Sequence, residues 1–117
     1  MNYLMIGAIS GCLVVIMGAF GAHALNEILD DYGKSIYNKA VLYHMFHSIA
    51  ILILGLINKI QPDIQLSMAG WLFVFGIILF SGSLYILAIT GIKSLGMITP
   101  IGGILFIIGW AFLILKV

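Results

Sequence analysis

Arginine is absent, cysteine occurs once, proline twice, and only nine of the 117 residues are charged, four acidic and five lysine. Each shortage excludes something. A soluble domain carries about a quarter charged residues, against 8% here, so this chain could not cover a water-facing surface. A hydrophobic content of 63% equally argues against a disordered tail. A net charge of +1 without arginine cannot neutralise a phosphate backbone, so no nucleic acid is expected as a partner. The lone Cys12 leaves no intrachain disulfide and reads as a small apolar residue. There is no P-loop, nucleophile elbow, HExxH or paired carboxylate set. The chain is therefore expected not to be an enzyme, and to hold no cofactor.

What is present is apolar length. The charges fall at Glu27, Asp30, Asp31, Lys34, Lys39, Lys59, Asp63, Lys93 and Lys116, leaving uncharged stretches 1–26, 40–58, 64–92 and 94–115. Each suffices for a helix to cross a hydrocarbon core of about 30 Å. Runs such as Ile49–Ile57 and Trp71–Phe80 do not alternate as membrane β-strands do. The reading is an all-α membrane protein, one domain over 1–117, with transmembrane helices near 3–25, 40–58, 67–90 and 97–115. In lipid the helix satisfies every backbone polar group within the segment.

The connections fit this division. In 26–39, Leu29, Tyr32, Ile36 and Ala40 recur at helical spacing opposite Asp30, Asp31, Lys34 and Asn38. That predicts a short amphipathic segment in the interface between helices one and two, with an Asp30–Lys34 pair and a bend or break at Gly33. Pro62–Asp63 marks the second loop, Gly91–Gly96 the third, and Pro100 belongs to the first turn of helix four. Ala22-His23-Ala24 resembles a signal-peptide cleavage site, and Ile9-Ser10-Gly11-Cys12 a lipobox. No basic residue precedes either, and the apolar stretch is too long for a leader, so helix one is expected to be retained.

Four spans put both termini on one face, side A, with loop two. Lys59 and Lys116 lie there, and Lys34, Lys39 and Lys93 on side B. Three against two leans toward side B in the cytoplasm, by a margin that decides little. Tyr3, Trp71 and Trp110 near side A, and Tyr32, Tyr37 and Tyr43 near side B with Tyr85 a little deeper, are expected to be interface anchors.

Small residues form stripes: Gly7, Gly11, Gly18 and Gly21 on helix one; Ala69, Gly76, Ser83 and Thr90 on helix three; Gly102 and Gly109 on helix four. Helix two has Ala40, His44, Ser48, Ile51, Gly55 and Asn58 on one face. Lipid supplies no hydrophobic force between helices, so close approach over small residues drives packing. The stripes predict a four-transmembrane-helix bundle, with spare stripes available to a homo-oligomer.

No carboxylate or lysine lies at mid-membrane, which argues against ion-coupled transport of the usual kind. The polar candidates are His23, His44 and His47 with Ser81, Ser83, Tyr85, Thr90 and Thr99, all placed by the spans in the side-B half. Three readings compete for them. They pin the bundle by hydrogen bonds across helices; they line a site for a lipid headgroup, quinone or small solute; or the histidines hold a metal or haem. The third lacks a cysteine ligand, a carboxylate at depth and a haem-attachment motif, and no metal is expected.

Gly18-Ala19-Phe20-Gly21-Ala22-His23-Ala24-Leu25, Tyr43-x-x-x-His47, Phe80-Ser81-Gly82-Ser83-Leu84-Tyr85, and Thr99-Pro100-Ile101-Gly102-Gly103 before Gly109-Trp110 run through the chain in order. Together they resemble the signature segments of the small bacterial inner-membrane proteins of the YgdD/YwdK type, domain-of-unknown-function family 423, which has a small eukaryotic transmembrane relative. The resemblance implies a four-helix, multi-pass plasma-membrane protein with no established activity and no catalytic residues to carry over. It implies that His23, His47, Ser81, Ser83, Tyr85, Thr99 and Pro100 occupy signature positions, that His44 stands where relatives often carry Gln, and that both termini are cytoplasmic. Two function classes follow. One is a non-enzymatic packing, assembly or lipid-binding module, with the bilayer as partner and partner proteins unknown. The alternative is a small-solute carrier or channel component using the His/Ser/Tyr cluster.

Overall fold

The computed structural model describes residues 1–117. Four helices are long and apolar enough to cross a membrane. They are α1 (Tyr3–His23), α2 (Asp31–Ile60), α3 (Ser67–Thr90) and α4 (Thr99–Lys116). A 3₁₀ turn, Lys93–Met97, leads into α4, and Pro100 lies in the first turn of α4, where it removes no helical hydrogen bond. Asn2 caps α1 by accepting from the Met5 amide at 3.1 Å, and α3 ends at Gly91 in the left-handed conformation, φ 73°.

Two elements differ from the sequence expectation. Residues 31–39 are not a separate interfacial segment; they are the first turns of α2, which runs unbroken for 30 residues. At 1.5 Å per residue that is about 45 Å, more than the hydrocarbon core needs. The amphipathic spacing is real, but its apolar face packs inward. Leu25, Leu29, Ile36, Tyr37 and Ala40 are buried against Leu84, Tyr85 and Leu87 of α3, whereas Tyr32 points out. Gly33 does not break the helix because it sits in the first turn, where Asp30 accepts its amide hydrogen at 2.7 Å. The Asp30 carboxylate thus acts as the N-cap, in place of the expected pair with Lys34.

The second difference lies inside α3. Ile77–Gly82 is a π-helical segment between the α-helical Ser67–Gly76 and Ser83–Thr90. Such segments insert one extra residue into the ladder. Here it coincides with a close approach of the α3 and α4 backbones. A Cβ added at Gly102 of α4 would lie 2.8 Å from the Leu79 carbonyl carbon and 2.8 Å from Phe80 Cα, and closer still to the Phe80 amide.

The other stripe glycines divide. A Cβ at Gly7 would meet Leu52, at Gly21 the Tyr37 ring, at Gly76 the Phe106 ring, and at Gly109 the Phe73 ring. Gly11 has nothing within 4 Å, and Gly18 meets only Val41 Cγ1 at 3.7 Å, an ordinary contact. The close stripe on α1 therefore runs through its two ends and not through its middle.

The main packing follows chain order: α1 on α2, α2 on the second half of α3, and α3 on α4. Consecutive helices pack in a zigzag, and this opens two lateral clefts. One lies between α1 and α3 over α2, the other between α2 and α4 over α3. The buried apolar residues form two clusters. One, toward side A, is built on Tyr3, Ile51, Leu54, Leu66, Phe73 and Phe106; the other, toward side B, on Leu25, Ile36, Tyr37, Leu84 and Leu87.

Candidate functional site

Between the two apolar clusters lies a polar layer. Its centre is α2, where His44 and Ser48 are one turn apart and face α1 and α3. Both are buried, 5% and 2% exposed. His44 Nδ1 is 2.9 Å from the Tyr85 hydroxyl of α3, and His44 Nε2 is 3.1 Å from Ser10 Oγ of α1. Ser10 Oγ is in turn 2.6 Å from Ser48 Oγ, and Ser48 donates to the His44 carbonyl at 2.7 Å. One imidazole thus ties α1, α2 and α3 together.

The hydrogens in this chain run one way. The hydrogen of Ser48 is engaged by the His44 carbonyl, so Ser48 accepts from Ser10. The hydrogen of Ser10 is then engaged, so Ser10 accepts from His44 Nε2–H. In a neutral imidazole the other nitrogen accepts, so Tyr85 donates to Nδ1. Reversing the order would leave the Tyr85 hydroxyl hydrogen without its partner. Hydrogen bonds aligned head to tail polarise one another and strengthen the set. A serine beside a histidine invites a nucleophile reading. The proton order opposes it, because the nitrogen facing Ser10 carries a hydrogen and cannot take another.

His47, one turn further on the α4 side, has the opposite tautomer. The Trp110 indole can only donate, and its Nε1–H lies 3.0 Å from His47 Nε2. The His47 hydrogen is therefore on Nδ1, which donates to the Tyr43 carbonyl at 2.8 Å. The ring stacks on Phe106 with centroids 3.5 Å apart and planes 9° from parallel. Ser81 donates to the Ala40 carbonyl at 2.8 Å, tying the π segment to α2. Ser83 donates to the Phe80 carbonyl at 3.0 Å and pairs with Thr99 Oγ1 at 2.6 Å, which joins α3 to α4.

The α1–α3 cleft opens beside this layer. It measures about 580 Å³, and most of its lining is apolar, including Ile6, Ile9, Leu13, Val74, Ile77 and Ile78. Its polar lining is Ser10, His44, Ser83 and Tyr85. The α2–α4 cleft, about 500 Å³, is lined by aromatic groups, among them Tyr43, Phe46, Phe80, Phe106 and Trp110, with His47.

Of the residues singled out in the sequence, the structure joins Ser83 to Thr99 and puts Tyr85 with His44. Ser81 and His47 make separate bridges in the same layer. His23 is not brought to the layer; it lies exposed in the last turn of α1. No group of three His, Cys, Asp or Glu side chains converges anywhere, and both nitrogens of His44 and of His47 are engaged. The sequence names His44 as a polar candidate and puts it with Ser48 on one face of helix two, but does not join that pair to Tyr85. Ser10, isolated on helix one, is the residue it misses. Several expected interface anchors also make hydrogen bonds between helices. Trp110 donates to His47, Tyr37 donates to the Met17 carbonyl at 2.5 Å, and Tyr3 donates to Ser67 at 3.4 Å. Trp71 and Tyr32 remain on the exterior.

Four apolar helices, a buried uncharged polar layer and clefts that open sideways define a multi-pass α-helical membrane protein. Residues 17–103 match the family described as "Protein of unknown function (DUF423)". The chain is 49% identical to a UPF0382 membrane protein of Staphylococcus epidermidis over 97% of its own length and 92% of the relative's. It is 45% identical to a UPF0382 membrane protein of Staphylococcus saprophyticus, covering 97% and 93%, and 42% identical to the UPF0382 membrane protein YwdK of Bacillus subtilis, covering 96% and 92%. The chain belongs to this DUF423 family of membrane proteins. No solved structure matches it.

Proposed function

We propose that the protein is a non-enzymatic lipid-binding module that takes up a single lipid chain from the bilayer in the cleft between α1 and α3. The observation that carries this reading is the cleft itself. Its volume of about 580 Å³ lies within the usual range for sites that hold small organic ligands. It is bounded by Ile6, Ile9 and Leu13 on one wall and by the π segment on the other. The carrier alternative draws less support, because the polar groups it would use are engaged between helices.

Gly82 supplies a direct test. It lines the cleft, and a Cβ there meets nothing nearer than the Ile77 carbonyl oxygen at 4.0 Å. The Cβ of Gly82→Leu therefore has room, the rest of its side chain is expected to occupy the cleft, and thermal stability is expected to stay unchanged or rise slightly. By native mass spectrometry of gently purified protein, the original chain is expected to retain one lipid and the variant none. Equal retention would refute the reading.

We further propose a plasma-membrane location with both termini in the cytoplasm. The family resemblance supports this orientation, whereas the lysine distribution leans weakly the other way. A reporter fused after Val117 is expected to be cytoplasmic, and an external reporter would reverse the assignment.

A further inference from the structure

We infer that the α1–α3 cleft selects an uncharged amphiphile bearing a hydroxyl group, over one that can only accept hydrogen bonds. This rests on the lipid-binding reading above and names the chemistry of the ligand. The ground is the hydrogen inventory of the lining. Four polar side chains face the cleft: Ser10, His44, Ser83 and Tyr85. The Tyr85 hydrogen goes to His44 Nδ1, the His44 Nε2 hydrogen to Ser10, the Ser10 hydrogen to Ser48, and the Ser83 hydrogen to the Phe80 carbonyl. Every donor is engaged inside the protein. What remains is acceptor capacity. Tyr85 Oη, on a residue 8% exposed, receives no hydrogen from any group in the chain. Ser10 Oγ accepts only one.

A ketone, ester or ether oxygen entering this cleft would lose its water without gaining a donor, which is costly. A hydroxyl can donate to Tyr85 Oη. It also lengthens the existing chain at its head, in the direction that strengthens every later bond. An ammonium group would offer hydrogens too, but no carboxylate lies in the cleft. Glu27, Asp30 and Asp63 fall in connections and Asp31 opens α2. An unpaired charge at this depth is disfavoured.

Three probes of matched chain separate the possibilities: dodecan-1-ol, its methyl ether and dodecylamine. Each is titrated at neutral pH into the full-length protein in phosphatidylcholine nanodiscs, with the His44 and Tyr85 ring signals followed by NMR. The alcohol is expected to bind about fivefold tighter than the ether, the range of one neutral hydrogen bond, and to move the Tyr85 signals most. The amine is expected to bind no better than the ether. Gly82→Leu is expected to remove the response to all three. Equal binding of alcohol and ether overturns the hydroxyl preference and leaves lipid uptake standing. An amine that binds tighter than the alcohol overturns the requirement for neutrality. If no probe perturbs any residue of the cleft, both the preference and the lipid-binding reading fail.

Discussion

Gly102→Ala is expected to destabilise the protein by about 3 kcal/mol, the upper part of the range for overpacking a filled interior. The added methyl would fall 2.8 Å from the Leu79 carbonyl carbon and from Phe80 Cα. These are backbone atoms of the π segment, so no rotamer change relieves the clash. Helix α4 must move away from α3, and the Ser83–Thr99 pair at 2.6 Å must open with it. Gly103→Ala is the matched control. There a Cβ meets only the Phe80 ring, at 3.7 and 3.8 Å, and the better helix propensity of alanine is expected to leave stability unchanged or slightly raised. Thermal unfolding of both variants in the same detergent checks the contrast. Equal midpoints would show that the approach at Gly102 is not close.

The second large effect concerns His44. His44→Leu removes the acceptor for Tyr85 and the donor to Ser10, and leaves the buried Tyr85 hydroxyl without a partner. An interhelical hydrogen bond in a membrane averages only about 0.6 kcal/mol. A stranded buried donor costs about 1–3 kcal/mol, so the total is expected near 2 kcal/mol. His44→Gln is expected to cost less than half of that. A carboxamide carries one acceptor and one donor group, so it can receive from Tyr85 and donate to Ser10 as the imidazole does. Chemical or thermal unfolding distinguishes the pair. If Gln and Leu are equally harmful, the role of His44 is ring packing and not its two hydrogen bonds.

The spans were legible because charge is so scarce that its positions mark the connections. The start of α2 was less so. Apolar residues at helical spacing read alike on a segment lying in the interface and on a helix end packed against α3, and Gly33 looks like a breaker until its amide is seen to be capped by Asp30. The π segment was not legible at all. Ile77–Phe80 is uniformly apolar, so no periodicity betrays the extra residue, which arises where the backbone of α3 meets Gly102. Within the site, Ser83, Tyr85 and Thr99 were visible as polar residues in apolar helices. Ser10 was not, because it is isolated on α1 and gains meaning only when α1 is laid against His44 and Ser48. His23 stands out by residue type and as a signature position of the resemblance, but it lies exposed at the end of α1, away from the layer. Trp110 was read as an anchor because its depth in the sequence suits one; its indole N–H is satisfied by His47, a contact between residues 63 positions apart.

The polar layer is held to be a directed set of hydrogen bonds in which His44 and His47 carry opposite tautomers. Nitrogen-15 NMR of histidine-labelled protein in a bilayer reads this directly. The predicted result is a protonated Nε2 and bare Nδ1 for His44, and a protonated Nδ1 and bare Nε2 for His47. A His44 protonated on Nδ1 would reverse the chain, turn the hydroxyl of Tyr85 toward the cleft as a donor, and contradict the account.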